Sequence, residues 1–114
     1  MRFEVVAILF DIDGTLVDST PAVVRTWEAF ADARSLDVEE ILRISHGRRT
    51  EDTLADLLPA SEVPDAAAQL EALELDDLGD VVALPAAHAV LSRLPADRWA
   101  AVTSGSQRLM RARL

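Results

Sequence analysis

The 114-residue sequence contains no cysteine and no lysine, so all 11 of its Lys and Arg positions are arginine. Without cysteine, neither a disulfide nor a thiolate metal site can form. The sequence also has no charged-then-apolar leader and no apolar run of about 18 residues, so we expect a cytoplasmic protein without a membrane partner. The net charge of −9 argues against nonspecific binding to nucleic acid, which requires a cationic surface.

Half of the residues are hydrophobic, which suits a small folded core and argues against disorder. The spacing of the apolar residues predicts a strand over residues 4–10 and a series of helices between residues 18 and 78. It then predicts a second buried strand over residues 99–102 and a last helix from Gln107.

This order of elements predicts an α/β fold built from two units. We expect residues 1–16 and 84–114 to form a parallel-sheet core. Residues 17–83 are expected to form an all-helical insert between the two parts of that core.

The most informative stretch is residues 7–18, where an apolar run that ends at Phe10 is followed directly by two aspartates. A short continuous apolar run is typical of a buried parallel strand, and ligands of open α/β sheets bind just beyond the carboxyl ends of such strands. With a spacing of two, Asp11 and Asp13 point to the same side. Two carboxylates about 4 Å apart repel each other by about 4 kcal/mol at an effective dielectric constant of ~20. A hard cation such as Mg²⁺ removes this repulsion.

Two other interpretations of this stretch are a calcium loop and a plain Asp-Gly turn. A calcium loop that starts at Asp11 needs glycine at its sixth position and glutamate at its twelfth. Those positions hold Leu16 and Ala22, which excludes the calcium loop. The plain turn remains an alternative.

Residues 11–15, Asp-Ile-Asp-Gly-Thr, resemble the first motif of the haloacid dehalogenase superfamily of phosphohydrolases. The resemblance implies that Asp11 is the nucleophile, which forms an aspartyl-phosphate, and that Asp13 is the general acid and base. It also implies that the Asp11 side chain and the Asp13 backbone carbonyl bind Mg²⁺, with Gly14 and Thr15 beside the phosphate. An acid next to the nucleophile can serve both halves of the reaction.

A second polar group, Thr103, Ser104 and Gly105, follows the second predicted strand. Hydroxyls and free backbone N–H groups at the start of a helix form an anion site. The resemblance implies that one of these hydroxyls binds a nonbridging phosphate oxygen. We expect Ser104 to do so together with the N–H of Gly105, and Thr103 is the alternative.

The linker between two of the predicted helices contains His46, Gly47, Arg48 and Arg49. The chain is similar to the sugar phosphatases, glycerol-3-phosphatases and β-phosphoglucomutases of the superfamily. This similarity implies a Rossmann-like core with an inserted helical cap that closes over the substrate, and it implies that these linker residues contact the nonreacting part of the substrate. An exposed loop is the alternative for the two arginines, and a surface position is the alternative for His46.

The sequence departs from the family because it has no lysine for the third motif and no identifiable acidic pair beyond it. We therefore expect a truncated, N-terminal portion of a phosphatase, with turnover near background. An uncovered sheet edge would then promote self-association. If the chain does show metal-dependent turnover, we expect Arg108 or Arg111 to replace the lysine.

The function expected from these features is Mg²⁺-dependent hydrolysis of a small sugar or polyol phosphate through an aspartyl-phosphate. A phosphomutase of the β-phosphoglucomutase type is one alternative, and it would return the phosphoryl group to a sugar instead of water. The other alternative is a catalytically silent fragment that binds phosphate or associates with itself.

Overall fold

The computed structural model describes residues 2–114, which form an elongated molecule of 48 × 27 × 26 Å. Within this range the strands are β1 (Ile8–Phe10), β2 (Val17–Asp18), β3 (Val82–Ala83) and β4 (Trp99–Ala101). The α-helices are α1 (Thr20–Arg34), α2 (Val38–Ser45), α3 (Thr50–Leu57), α4 (Val63–Leu75), α5 (Ala87–Ser92) and α6 (Gln107–Arg113). Turns of 3₁₀ helix cover Ala60–Glu62 and Ala96–Arg98. In the described range, no helix combines the length and the apolar character that a membrane crossing requires.

A parallel pair of strands brings the two predicted polar groups to one edge of the sheet. β1 and β4 are parallel neighbours, with Ile8 opposite Trp99 and Phe10 opposite Ala101. The N–H of Val102 extends this ladder by donating to the carbonyl of Phe10 at 2.7 Å. Because the two strands end at the same level, the loops that follow them leave the sheet side by side.

One face of this sheet is exposed, whereas the apolar runs predicted strands that are buried on both faces. Ile8 and Phe10 are half-buried, but Leu9, which alternates with them, is 71% exposed. The first strand is also shorter than predicted, since residues 4–7 lie outside β1. At the end of the second strand, Val102 is exposed as well. Helices α5 and α6 pack against the other face, so part of this apolar surface has no cover within residues 2–114.

The helices between β2 and β3 have a core of their own. Helices α1 to α4 bury a cluster of Trp27, Phe30, Ala31, Ile41, Leu54, Ala66 and Leu70. Helix α1 has Pro21 in its first turn, where the missing N–H of proline costs no helical hydrogen bond. Helix α2 begins after Asp37, whose side chain accepts a hydrogen bond from the N–H of Glu39. The assignment of residues 17–83 as a cap stays a prediction.

Two antiparallel strands connect the helical insert to the sheet. In β2 and β3, Val17 lies opposite Ala83 and Asp18 lies opposite Val82. A second buried cluster lies on the sheet side of this pair and is formed by Ile12, Leu16, Val17, Leu109 and Met110. The loop after β1 is therefore packed against helix α6.

Candidate functional site

The loops that follow β1 and β4 line one cleft of about 940 Å³. Its lining includes all of the predicted catalytic and phosphate-binding residues: Asp11, Asp13, Gly14, Thr15, Thr103, Ser104 and Gly105. Residues of the helical insert complete the lining, and they include His46, Gly47 and Arg48. The fold thus brings the two predicted polar groups and the predicted linker around a single space.

The loop after β1 is organised around Ile12, whose side chain is buried. Its backbone carbonyl accepts three hydrogen bonds, at 2.8 to 3.2 Å, from the N–H groups of residues 15–17. Gly14 has a φ of 80°, a left-handed conformation that glycine adopts without steric cost. Because Ile12 points into the core, its neighbours Asp11 and Asp13 point away from the core and into the cleft.

Asp11 is exposed, and one of its two carboxylate oxygens has no hydrogen bond from the described residues. Its Oδ1 accepts a hydrogen bond from the N–H of Ile12 at 2.8 Å, and no described residue donates to its Oδ2. The backbone carbonyl of Asp13 likewise accepts no hydrogen bond from the described residues. Mg²⁺ prefers hard oxygen ligands of this kind, together with phosphate oxygens and water. The predicted residues therefore fit the metal, although within residues 2–114 no three His, Cys, Asp or Glu side chains form a metal-binding group.

Asp13 is fixed through one of its two carboxylate oxygens. Its Oδ1 accepts a hydrogen bond from the hydroxyl of Ser19 at 2.6 Å and another from Nη1 of Arg113 at 3.0 Å. Ser19 is buried at the start of α1. No donor among the described residues reaches Oδ2 of Asp13, so this oxygen is available to a ligand.

Glu74 of α4 is the second partner of Arg113. Nη2 of Arg113 lies 3.2 Å from Oε2 of Glu74, and the two side chains are only 3% and 10% exposed. Burial raises the pKa of the Glu74 carboxyl above its ordinary value; Arg113 opposes this shift, and the nearby Asp13 and Glu71 carboxylates reinforce it. Nε of Arg113 is buried without a hydrogen-bond partner among the described residues. A buried arginine thus lies between two carboxylates at the base of the cleft.

Sequence patterns alone did not identify three of these residues: Ser19, Glu74 and Arg113. The spacing does indicate where the side chain of Arg113 lies. Arg113 follows the apolar Leu109 by four residues, so the two share one face of α6. Arg108 and Arg111, which we expected to replace the missing lysine if the chain turns over substrate, are both exposed, and that expectation stays a prediction. The arginine that contacts Asp13 is therefore Arg113.

The loop after β4, which forms the second part of the predicted phosphate site, is stabilised by hydrogen bonds within the loop and at the start of α6. The N–H of Gly105 donates to Oγ1 of Thr103 at 3.0 Å, whereas Ser104 is exposed to the cleft. The hydroxyl of Ser106 accepts a hydrogen bond from the N–H of Leu109 at 3.2 Å and so caps α6. The choice between Ser104 and Thr103 as the phosphate ligand stays a prediction.

The linker residues differ in their access to the cleft. Arg48 lines it, but its Nη1 is 2.7 Å from Oδ2 of Asp56 and its Nη2 donates to the backbone carbonyl of Asp52 at 3.1 Å. His46 and Gly47 line the cleft beside it, and Gly47 has a φ of 71°. Arg49 lies outside the lining, with its guanidinium 3.9 Å from Glu51. The role of these residues in specificity stays a prediction.

The sequence matches both a family and individual proteins. Residues 5–114 match the haloacid dehalogenase-like hydrolase family. Hexitol phosphatase A of Escherichia coli is 43% identical over 110 residues, which cover 92% of this chain and 51% of that protein. Glycerol-1-phosphate phosphohydrolase 1 of Saccharomyces cerevisiae is 33% identical over 112 residues, which cover 94% of this chain and 45% of that protein.

The fold also has a close match among solved structures. A hydrolase from Pseudomonas syringae has a TM-score of 0.81 at 24% identity, over 94% of this chain and 52% of that one. This likeness confirms the predicted α/β fold, with a parallel sheet and helices. The chain spans about half the length of the two curated relatives.

Proposed function

Because the chain belongs to the haloacid dehalogenase-like hydrolases, we propose that its cleft hydrolyses small phosphomonoesters, with Asp11 as the nucleophile and Asp13 as the acid and base. The observation that carries this proposal is the difference in exposure and hydrogen bonding between the two carboxylates. Asp11 is exposed with a free Oδ2, whereas Asp13 is held at Oδ1 by Ser19 and Arg113. One group is thus free to attack, and the other is held in place to transfer a proton.

Each half of the proposed reaction uses both aspartates. In the first half, Oδ2 of Asp11 forms a bond to phosphorus while the bond from phosphorus to the ester oxygen breaks, and Asp13 gives its proton to the departing oxygen. In the second half, Asp13 takes a proton from water as the water oxygen attacks the phosphorus of the aspartyl-phosphate. The bond between phosphorus and Asp11 then breaks, which releases inorganic phosphate and restores both carboxyl groups.

The oxygens around Asp11 support a role for Mg²⁺. The carboxylate of Asp11 and the backbone carbonyl of Asp13 would hold the ion, and it would supply positive charge to the phosphoryl oxygens. The phosphate would also contact the loop residues Thr15 and Ser104, which line the cleft from two sides of the sheet edge. Hydroxyl groups at these positions can donate hydrogen bonds to phosphate oxygens.

We further propose that the substrate is a sugar or polyol phosphate. The names of the two curated relatives specify hexitol and glycerol-1-phosphate. The insert side of the cleft offers hydroxyls and carboxylates, among them Ser45, Thr50, Glu51 and Glu71, which can hydrogen-bond to the hydroxyls of a polyol. Both arginines of the described lining are already paired with carboxylates. A neutral polyol therefore suits this surface better than a group with a second negative charge.

The proposal is tested by measuring release of inorganic phosphate from glycerol 1-phosphate, hexitol phosphates and phosphoglycolate, each with Mg²⁺ and with a chelator. We expect metal-dependent release that is slow, because the sequence has no lysine for the third motif, and that is faster from the polyol phosphates than from phosphoglycolate. No metal-dependent release from any ester would contradict the proposed function. Conversion of a sugar phosphate to an isomer without phosphate release would indicate a phosphomutase instead.

A further inference from the structure

Arg113 joins three parts of the chain that are distant in sequence. Its Nη1 donates to Asp13 in the loop after β1, and its Nη2 donates to Glu74 of α4. Helix α4 is also fixed to the start of α6 by a second contact, in which the hydroxyl of Ser106 donates to Glu71. Arg113 therefore lies where the helical insert, the loop after β1 and helix α6 meet.

The contacts of Asp13 define the direction of its free oxygen. Both of its protein hydrogen bonds, from Ser19 and Arg113, end on Oδ1. Two donors on one oxygen restrict rotation of the carboxyl group, and they leave Oδ2 to meet the ester oxygen at a fixed angle. The guanidinium is planar and directs separate N–H groups at its two carboxylate partners, so Glu74 in turn restricts the orientation of Arg113.

We propose that Arg113 is a positioning residue for the reaction, and that Glu74 makes this positioning depend on the location of α4. The inference rests on the proposed function, because only an acid and base at Asp13 would transmit such an effect to turnover. When α4 is docked, Glu74 and Asp13 hold the guanidinium from two sides. When α4 moves away, Arg113 loses one of these partners, and the orientation of Asp13 is then less restricted although Ser19 still contacts it. Proton transfer is thereby favoured in the closed arrangement of the insert.

The leaving group provides a specific test. The oxygen of glycerol 1-phosphate must be protonated as it departs, whereas p-nitrophenolate departs without a proton. A defect in the position of Asp13 should therefore slow the first ester more than the second. A merely structural defect lowers the amount of folded protein and reduces both rates by the same factor.

The variants are Arg113→Met, Arg113→Lys and Glu74→Gln, with Arg93→Met as a control at an exposed arginine at the end of α5, outside the cleft lining. We expect Arg113→Met to lower kcat/KM for glycerol 1-phosphate about tenfold more than kcat/KM for p-nitrophenyl phosphate, because kcat/KM reports formation of the aspartyl-phosphate and not the attack of water that both esters share. Arg113→Lys should restore part of the loss, Glu74→Gln should show a smaller loss of the same kind, and Arg93→Met should show none. If Arg113→Met does not fold, the other two variants carry the comparison.

Equal losses for both esters in the Arg113 and Glu74 variants would overturn the inference. A wild-type protein without turnover would instead overturn the proposed function. To separate these cases, the side-chain Nε–H signal of Arg113 is followed by NMR in Asp13→Asn, in Glu74→Gln and in the exposed control Asp97→Asn. We expect the signal to shift in the first two proteins only. An unchanged signal would overturn the inference whatever the activity.

Discussion

The hydroxyl of Ser19 lies 2.6 Å from Oδ1 of Asp13 and connects the first turn of the helical insert to the carboxylate loop. Ser19 is buried, so this hydroxyl has little access to water as an alternative partner. A hydrogen bond to a charged acceptor contributes about 1.5–3 kcal/mol. Ser19 thus gives Asp13 a support that is independent of helix α6.

Substitution Ser19→Ala should lower turnover of alkyl phosphates without removing it. Loss of the hydrogen bond frees the Asp13 carboxylate to rotate, and we expect kcat to fall about tenfold, which corresponds to about 1.4 kcal/mol. The measurement is steady-state release of phosphate from glycerol 1-phosphate. Ser61→Ala, at an exposed serine in the Ala60–Glu62 turn, is the control. Equal kcat values for Ser19→Ala and wild type would exclude a supporting role for Ser19.

Substitution Asp11→Asn should abolish hydrolysis of every phosphate ester. The amide cannot form the phosphoryl bond, and it also removes one negative charge from the proposed metal site. Turnover of p-nitrophenyl phosphate is the strictest measurement, because its leaving group needs no proton from Asp13 when the aspartyl-phosphate forms. Retention of more than a few per cent of the wild-type rate would contradict the aspartyl-phosphate mechanism.

Substitution Arg48→Ala should change the preference among sugar and polyol phosphates more than the rate with an aryl phosphate. Arg48 lines the cleft beside His46, whereas the neighbouring Arg49 lies outside the lining. Arg93→Ala, at an exposed arginine that also lies outside the lining, is the control that removes the same charge. The ratios of kcat/KM across the substrate panel are compared between the two variants. A uniform loss on all substrates after Arg48→Ala would assign Arg48 to phosphoryl binding or to folding.

Glu74 should make the free energy of unfolding depend on pH. Its pKa is raised in the folded protein, mainly by burial, so the folded state binds the proton more tightly than the unfolded state does. The resulting stabilisation is complete below the unfolded pKa of about 4.3 and is lost as the pH rises through the folded pKa. The unfolding free energy of wild type minus that of Glu74→Gln should therefore decrease as the pH rises.

Urea unfolding of both proteins across a pH series measures this difference. Glu62→Gln, at an exposed glutamate, controls for the general effect of removing one negative charge. A difference that grows with pH would mean that attraction to Arg113 outweighs the burial of Glu74. The sign of the change in this difference with pH thus shows whether burial of Glu74 or its attraction to Arg113 is the larger effect.

The exposed face of the parallel sheet should promote self-association. Leu9 is 71% exposed and Val102 is 53% exposed, and an uncovered apolar sheet surface attracts a second copy. Leu9→Lys should shift the sedimentation profile toward the monomer at high protein concentration. Val90→Lys introduces the same charge on α5, at a residue that is 42% exposed, and serves as the control. A wild-type protein that sediments as a monomer throughout would contradict this prediction.

Local features of the site could be predicted from the sequence, whereas its long-range contacts could not. The turn after β1 follows from residues 11–17 alone, because the apolar run, the aspartates and Gly14 determine it together. The contact of Arg113 with Asp13 spans 100 positions, and the contact with Glu74 spans 39. Such contacts depend on how α4 packs against α6, which the spacing of apolar residues does not specify.

The prediction that the strands are buried on both faces was wrong for a related reason. An apolar run indicates which residues can be covered, but the cover itself comes from other elements of the fold. Leu9 belongs to such a run and has no cover within the described residues. The pattern therefore predicts the strand better than it predicts its surroundings.

The pairing of β2 with β3 limits how the helical insert can turn. The chain passes between the two buried clusters twice, and the two passages lie side by side, with Val17 opposite Ala83 and Asp18 opposite Val82. Two adjacent connections would act as a hinge, which resists twisting and sliding of the helical insert and allows it to rotate about a single axis. The angle between the insert and the sheet would then set the width of the cleft. The same rotation would move Glu74 toward Arg113 or away from it.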